Sequence, residues 1–339
     1  MRHAPALRFV FAAALILAIA SSRAQAQAFV PAKGEGTVSF LYQDQFFRYH
    51  YAPTTPVDAG QIWARSMLYD VTYGVTDKIA VSFGIPLVVT RYLGAAPHFL
   101  ASDPTKSNPI DDGTWHATIQ DMRFDVRYNV TRNLWNKGIV VTPFVGTVAP
   151  SHEYPYFVHA GFGRNLNEVQ VGASVAKLFE RGIPGLVVQG RYAYGFVEQV
   201  MDISHNRSLG SVEAAYFISS KLRAFGMVGG QRTHGGIDFL GPRTRAELPY
   251  EVFIHHDQIQ RENMLSVGAG GSYSLSDTVD LYGSWTGTVA QRNGHRLARG
   301  LSLGLSWSFT TRRATTRPFT ATTMAESSLV RCLCEKGTK

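Results

Sequence analysis

The sequence predicts an all-β fold, a closed antiparallel up-and-down transmembrane β-barrel of about 12 strands. Three observations support this prediction. The body of the chain divides into short segments in which apolar and polar side chains alternate, and short and long connections between those segments also alternate. The third observation is an N-terminus with the composition of an export signal, and no later stretch resembles the roughly 20 apolar residues of a membrane helix.

The first 26 residues have the features of a secretory signal peptide. Arg2 and Arg8 precede an apolar run from Phe9 to Ala20, and A-x-A sites follow at 24–26 and 26–28. A basic region, a short apolar region and a small-residue cleavage site define such peptides. We therefore expect residues 1–26 to be removed and the rest to reach the bacterial cell envelope; the alternative is an uncleaved anchor.

Alternation is clearest between residues 121 and 130. Successive side chains of a β-strand point to opposite faces. One face carries Met122, Phe124, Val126, Tyr128 and Val130, and the other carries Asp121, Arg123, Asp125, Arg127 and Asn129. Near the C-terminal end, Leu301, Leu303, Leu305, Trp307 and Phe309 alternate with serine and glycine in the same way.

The remaining strands and their connections follow from the same pattern. Strands are predicted near 37–48, 62–75, 79–89, 117–130, 139–149, 169–175, 186–199, 208–219, 222–232, 264–275, 279–290 and 301–309, with 139–149 and 222–232 fitting either parity. Short turns are predicted at 76–78, 131–133, 180–182, 219–221 and 276–278, and long links at 49–61, 92–117, 150–168, 200–207, 233–262 and 291–297. Short turns at one end and long loops at the other are typical of outer-membrane barrels. The body shows no βαβ pattern and no convincing amphipathic helix.

Charge and cysteine content divide the chain into three parts. The formal net charge is +8, of which residues 1–26 contribute +3 and residues 310–339 contribute +4. The body, 27–309, is therefore nearly neutral and has no basic patch for nucleic acid. The only cysteines, Cys332 and Cys334, lie near the C-terminus. We assign 27–309 to an outer-membrane barrel and 310–339 to a disordered basic tail.

Two segments resemble a known family. The run from Tyr73 to Pro86, YGVTDKIAVSFGIP, resembles the strand–turn–strand signature of the outer-membrane transporter family associated with meta-pathway phenol degradation. The segment from Gln120 to Tyr128 is similar to the next strand of that family, with Gln120 where glycine is usual. The resemblance implies a barrel of this size that passes small molecules, including aromatic ones, and it carries no catalytic residues.

If the apolar residues face lipid, a set of charged residues faces the lumen. The predicted lumen-lining residues are Asp70, Asp121, Arg123, Asp125, Arg127, Arg191, Glu213 and Asp280. Such residues either line a channel, where their charge sets selectivity, or neutralise one another across strands and fill the barrel. The sequence leaves both alternatives open.

Histidine is concentrated in the predicted long links and at the adjoining strand ends. The residues concerned are His50, His98, His116, His152, His159, His205, His234, His255, His256 and His295. Imidazole binds transition metals. The sequence nevertheless predicts neither a metal site nor a cofactor, and the adjacent pair His255 and His256 is only a weak candidate for metal binding.

The predicted function is an outer-membrane channel or transporter for small solutes, and the resemblance adds hydrophobic or aromatic compounds. The expected partners are outer-membrane lipid and a small solute, with no nucleic acid; the oligomeric state stays open. One alternative is a structural or adhesive barrel whose extracellular loops bind partners. The other is a lipid hydrolase with a histidine-activated serine, for which His205-Asn206-Arg207-Ser208 is the nearest candidate. We expect no enzyme activity.

Overall fold

The computed structural model describes residues 28–95, 98, 103, 105–106, 108–130, 138–238 and 249–311. The predicted signal peptide, 1–26, lies outside these residues. So does the predicted tail, 310–339, apart from its first two residues. Neither of the helices in the described part of the chain is long and apolar enough to span a bilayer.

The described residues form thirteen β-segments and two short helices. The segments are β1 (Glu35–Ala52), β2 (Thr55–Gly74), β3 (Ile79–Leu93), β4 (His116–Ile119), β5 (Met122–Tyr128), β6 (Ile139–Ala149), β7 (Glu168–Phe179), β8 (Leu186–Val197), β9 (Arg207–Phe217), β10 (Leu222–Thr233), β11 (Asn263–Ser274), β12 (Val279–Arg292) and β13 (Gly294–Thr310). The helices α1 (Tyr250–Ile254) and α2 (His256–Ile259) lie between β10 and β11. These helices are too short to establish the 3.6-residue pattern by which an amphipathic helix is predicted.

The segments β4 and β5 are two halves of one barrel strand. Both pair with β3, β5 along 79–84 and β4 along 87–90. The break lies opposite Pro86, whose carbonyl accepts a hydrogen bond from the Gln120 amide at 2.9 Å. Proline has no N–H to donate to a ladder, so pairing is interrupted there. The barrel thus has twelve strands, as the sequence predicts.

The barrel closes between its first and last strands. Each strand pairs with its sequence neighbours, and β13 pairs with β1 from Glu35 opposite Thr310 to Tyr51 opposite Gly294. Every barrel strand therefore has a partner on both sides. Closure satisfies the backbone without water, which a bilayer requires.

The apolar faces of the strands point outward. On β13, Leu301, Leu303, Leu305 and Trp307 are 40–56% exposed, whereas the intervening Ser302 and Ser306 are 9% exposed. A water-soluble barrel would have the opposite distribution, because burial of apolar surface stabilises its core. An outward apolar band around a polar interior is the arrangement of a barrel in a membrane.

The two strands of ambiguous parity carry apolar residues on both faces. On β10, Phe225 and Met227 point inward and are 5% and 4% exposed. The inner positions beside them are Gly268 and Gly270 of β11, where a Cβ would lie 3.2 Å from Met227 Cε and 2.6 Å from Phe225 Cζ. Glycine on one strand therefore makes room for large side chains on the next.

Two predicted long links are extended hairpins. The predicted links 49–61 and 291–297 are wrong, because β1 and β2 continue to Ala52 and Thr55, and only Asn293 separates β12 from β13. At the second hairpin, Asn293 and Gly294 have φ values of 53° and 73°, a conformation that both residue types tolerate. The polar composition of 49–61 and 291–297 is that of strands that extend beyond the apolar band.

The two ends of the barrel differ in the length of their connections. The end that carries the links 94–115, 150–167, 198–206 and 234–262 is called the long-loop end, and the opposite end is called the short-turn end.

The segment before β1 enters the lumen at the short-turn end. Ala28 is fully buried and packs with Val140 and Ala176, which are inner-face residues of β6 and β7. The Thr142 hydroxyl donates a hydrogen bond to the Ala28 carbonyl at 2.6 Å. Since β6 lies several strands from β1 in the barrel, residues 28–34 cross the lumen and narrow it at this end.

Candidate functional site in the barrel lumen

Arg127 is the most buried of the predicted lumen-lining residues, at 6% exposure. Its Nε lies 3.0 Å from Asp125 Oδ1, and its Nη2 donates to the hydroxyls of Thr72, at 3.1 Å, and Ser82. Asp125 and Arg127 share the inner face because they are two residues apart on β5. A buried guanidinium needs such charge and hydrogen-bond compensation. The charges of Asp125 and Arg127 therefore neutralise each other on this part of the wall.

A second pair lies on the other side of the wall, between Glu213 of β9 and Arg223 of β10. Their closest charged atoms are 4.0 Å apart. Gln189 Nε2 also donates to Glu213 at 3.1 Å, and Arg223 Nε donates to Ser272 Oγ at 3.2 Å. Sequence reasoning missed Arg223 because the parity of its strand was ambiguous.

Asp121 and Arg123 have different environments. Asp121 lies at the break between β4 and β5 and accepts a hydrogen bond from the hydroxyl of Tyr154, which belongs to the link 150–167. Burial and the neighbouring Asp121 raise the pKa of Tyr154, so its proton stays in place. Arg123 is exposed, although it lies on the inner face at mid-strand. An exposed inner-face side chain requires open space beside it in the lumen.

The remaining predicted residues are spread around the wall. Asp70 lies against Gly84, where a Cβ would collide with its Oδ1. The guanidinium of Arg191 lies 3.6 Å from the centroid of the Phe144 ring. Asp280 accepts a hydrogen bond from Ser274 Oγ at 2.6 Å. The eight residues predicted from sequence therefore do not converge on one site.

A denser polar cluster lies at the long-loop end. Glu168, 2% exposed, pairs with Arg207 and accepts a hydrogen bond from Gln170 at 2.8 Å. Arg164 pairs with Glu262 at 2.5 Å. Sequence reasoning missed these residues because they lie at strand ends and in links, where no alternation identifies the inner face.

Five histidines converge at this end. The ring centroids of His98 and His159 are 4.0 Å apart, and those of His98 and His256 are 5.2 Å apart. His295 Nε2 lies 3.4 Å from His159 Nδ1 and 3.5 Å from His50 Nδ1. These residues come from three links and from β1 and β13, so only the folded chain brings them together. We call them the histidine cluster.

Asp111 fixes two of the links that form the histidine cluster. Its side chain has no exposed surface, and it accepts the backbone N–H groups of His98 at 2.9 Å, His159 at 3.1 Å and Ala160 at 3.1 Å. The Thr90 hydroxyl of β3 also donates to the Ala160 carbonyl at 2.7 Å. Hydrogen bonds from backbone amides to a buried carboxylate are strong. They hold the backbone at His98, His159 and Ala160 inside the barrel mouth.

Three side chains in this region could hold a metal ion. His98, His256 and Asp257 each offer one ligand atom, and these atoms all lie within 4.8 Å of one another. Burial and the neighbouring His159 hold the pKa of His98 well below its usual range, so its imidazole is neutral at pH 7. Of the two weak candidates from the sequence, His256 belongs to this group. His255 instead stacks on Tyr156, with ring centroids 5.5 Å apart.

A serine–histidine pair lies outside the lumen. Ser208 Oγ is 2.8 Å from His234 Nε2 and 2.9 Å from the hydroxyl of Tyr192. Ser208 is on the outer face because the adjacent Arg207 points inward. The sequence suggested His205 as the partner of Ser208, but His205 is buried, and its Nδ1–H donates to the Ile203 carbonyl at 3.0 Å. The pair therefore forms with a different histidine.

Comparisons with known proteins support the fold. No family model matches the sequence, and no curated protein matches it. The structure is similar to that of an outer membrane channel from Pseudomonas putida F1, with a TM-score of 0.65 and 13% identity over 85% of this chain and 100% of that one. The NanC porin gives a TM-score of 0.45 at 10% identity, over 80% of this chain and 98% of the porin. A deletion mutant of the monoaromatic hydrocarbon channel TodX gives a TM-score of 0.41 at 10% identity, over 84% of this chain and 92% of TodX.

The first of these structures, together with the outward apolar band, identifies the fold as that of a bacterial outer-membrane β-barrel. At 13% identity the likeness concerns the fold alone. The resemblance of the segments 73–86 and 120–128 to the meta-pathway transporter family stays a prediction.

Proposed function

We propose that the barrel is an outer-membrane channel for small solutes. The observation that carries this proposal is the exposed position of Arg123 on the inner face of the barrel wall. Open space beside a fixed charge at mid-strand is what a polar permeation path needs. The fold, in which backbone closure leaves an interior separate from lipid, supports the same role.

The finer proposal, that the solute is hydrophobic or aromatic, rests on the sequence resemblance and on aromatic side chains at the long-loop end. Tyr92, Phe157 and Phe162 are 1–6% exposed and project into the barrel mouth. The Phe157 and Phe253 rings pack edge to face with centroids 5.3 Å apart. Aromatic rings bind aromatic solutes through stacking and edge contacts.

We expect the purified full-length protein to give discrete conductance steps in a planar bilayer. We also expect Arg123→Glu to shift its reversal potential toward cation selectivity, because it exchanges a positive for a negative charge on the inner face. The matched control is Lys221→Glu, which reverses a charge on an exposed short turn and should shift the reversal potential less.

Two results would contradict the channel. One is the absence of conductance from protein that migrates as a folded barrel on unheated gels, which would favour the structural or adhesive alternative. The other is an equal shift for both variants, which would mean that Arg123 does not face the permeation path.

The second candidate function is hydrolysis of a lipid ester, and the Ser208–His234 distance is the observation that favours it. A neutral imidazole could take the serine proton as the hydroxyl attacks an ester carbonyl at the outer surface. Catalytic histidines are normally oriented by a third group. Within the described residues, no hydrogen bond is formed by Nδ1 of His234, so the channel is our primary proposal.

A fluorophosphonate probe tests this second candidate. If the pair is reactive, the folded protein will form a covalent phosphonyl adduct with loss of fluoride. That labelling would disappear in Ser208→Ala and persist in Ser211→Ala, which changes an inner-face serine of the same strand. A lack of labelling in the folded wild-type protein would exclude the hydrolase. We expect this outcome.

A further inference from the structure

We propose that His98, His256 and Asp257 bind a divalent transition-metal cation inside the long-loop end of the barrel. The three residues come from two links that are far apart in sequence, His98 from 94–115 and the other two from α2. Two imidazole nitrogens and one carboxylate oxygen suit Zn²⁺ and its first-row neighbours. They do not suit Ca²⁺ or Mg²⁺, which take oxygen ligands.

The distances allow a single ion to contact all three side chains. The ligand atoms lie within 4.8 Å of one another. Bonds of about 2.0–2.2 Å in a tetrahedral arrangement would separate the ligand atoms by roughly 3.4 Å. His256 Nε2 and Asp257 Oδ1 are already 3.2 Å apart, so the main change needed is an approach of about 1 Å by His98. Three protein ligands leave a fourth position for water or solute.

His256 is oriented as a metal ligand. Its Nδ1 lies 2.7 Å from the carbonyl oxygen of Phe253, which can only accept, so Nδ1 carries the proton. In the neutral imidazole the lone pair is therefore on Nε2, the nitrogen that faces Asp257. Histidines that bind metals usually donate their other N–H to a carbonyl or a carboxylate in this way. Phe253 also stacks on the His256 ring, with centroids 5.3 Å apart.

Two buried polar atoms of the site lack a hydrogen bond. These atoms are Oδ2 of Asp257 and Nδ1 of His98, among the described residues. A buried polar atom without a partner is costly, and a carboxylate oxygen more so. A bound cation would compensate the charge of Asp257. The second carboxylate of the region, Asp111, lies 3.5 Å from His98 Nδ1 and would help to balance a double positive charge.

The position of the site gives the metal a structural consequence. His98 and helix α2 both lie in the barrel mouth, and α2 is also held by the hydrogen bond from Gln258 Nε2 to the Arg164 carbonyl at 2.8 Å. A metal bonded to His98 and His256 would join these elements directly. It would also border the other imidazoles of the histidine cluster, of which His159 is nearest to His98.

Cobalt titration of the full-length barrel in detergent tests the proposal. The protein is prepared without a polyhistidine tag and stripped with EDTA, and Co²⁺ is added while its visible absorption is followed. We expect one Co²⁺ per chain, displaced by Zn²⁺. We also expect His98→Ala and His256→Ala each to weaken metal binding by at least roughly 10–100-fold. That is the loss typically seen when only a residue hydrogen-bonded to a metal ligand is removed.

His116→Ala is the matched control, because His116 pairs with Asp112 at 2.9 Å at the same end but has no third ligand nearby among the described residues. It should bind like the wild type. If either alanine variant fails to migrate as a folded barrel, Asp257→Asn replaces it, since this change keeps the side-chain shape. No stoichiometric binding to the folded wild type, or equal affinity in the control and the ligand variants, would overturn the site.

Discussion

A chain that ends after Gly300 is expected to form no barrel. The change removes residues 301–339, of which 301–310 pair with 35–44 of β1 and 301–307 pair with 279–285 of β12. Both strands would then present unpaired N–H and C=O groups to lipid, at several kcal/mol for each group. The measurement is the migration of unheated refolded protein on a denaturing gel, in which a folded barrel runs differently from heated protein.

A chain that ends after Thr311 is the matched control and should fold like the full-length protein. The sequence alone placed the end of the barrel at Phe309. The structure extends pairing by one residue, because Thr310 lies opposite Glu35, and the Thr311 amide donates to the Gly34 carbonyl at 2.8 Å. If the Thr311 chain failed to insert, residues 312–339 would be part of the folding unit, and the proposed barrel boundary would be wrong.

Phe124→Arg is expected to destabilise the barrel by about 2–4 kcal/mol if this position lies near the bilayer midplane. Phe124 is 44% exposed on the outer face of β5, where it pairs with Phe83 in the middle of the barrel wall. The cost arises because an arginine there must be desolvated or must draw water and headgroups into the bilayer. Reversible urea unfolding in lipid vesicles would measure the difference.

Two variants separate this effect from general damage to β5. Phe124→Leu keeps an apolar residue on the outer face and should cost much less than the arginine. Asp125→Asn changes the inner face and keeps an acceptor oxygen toward Arg127, whose guanidinium also bonds Thr72 and Ser82. Equal losses in Phe124→Arg and Asp125→Asn would mean that the two faces of β5 have been assigned the wrong way round.

The strand pattern could be predicted because it depends on local geometry. Alternation at 122–128 and 301–309 fixes two faces whatever the rest of the chain does, and both segments are strands with the expected residues on each face. The sequence was less informative where a polar stretch was not a loop and where a strand break depended on a neighbouring strand. The polar stretch 49–61 belongs to strands that project beyond the apolar band, and the break at Gln120 depends on Pro86 of the neighbouring strand.

The site was only partly accessible to the same reasoning. In the structure, Arg127 and Glu213 lie on the opposite face from the outward apolar residues of their strands. Alternation could not identify Arg223 as the partner of Glu213, because a pairing between neighbouring strands depends on register. Nearness in sequence also favoured His205 as the partner of Ser208. In the structure, His234 is the histidine at hydrogen-bond distance from Ser208.

The sequence by itself determined the twelve-strand pattern and which side chains share a face, since a strand turns each successive residue to the opposite side. Tertiary structure alone decided what the long links do. His98 and His256 are separated by most of the barrel along the chain, yet their rings lie 5.2 Å apart. They meet because closure of β1 on β13 brings every long link to one mouth, where Asp111 holds two links inside. No local periodicity encodes that proximity, because it depends on the closed barrel and on how the links pack within it.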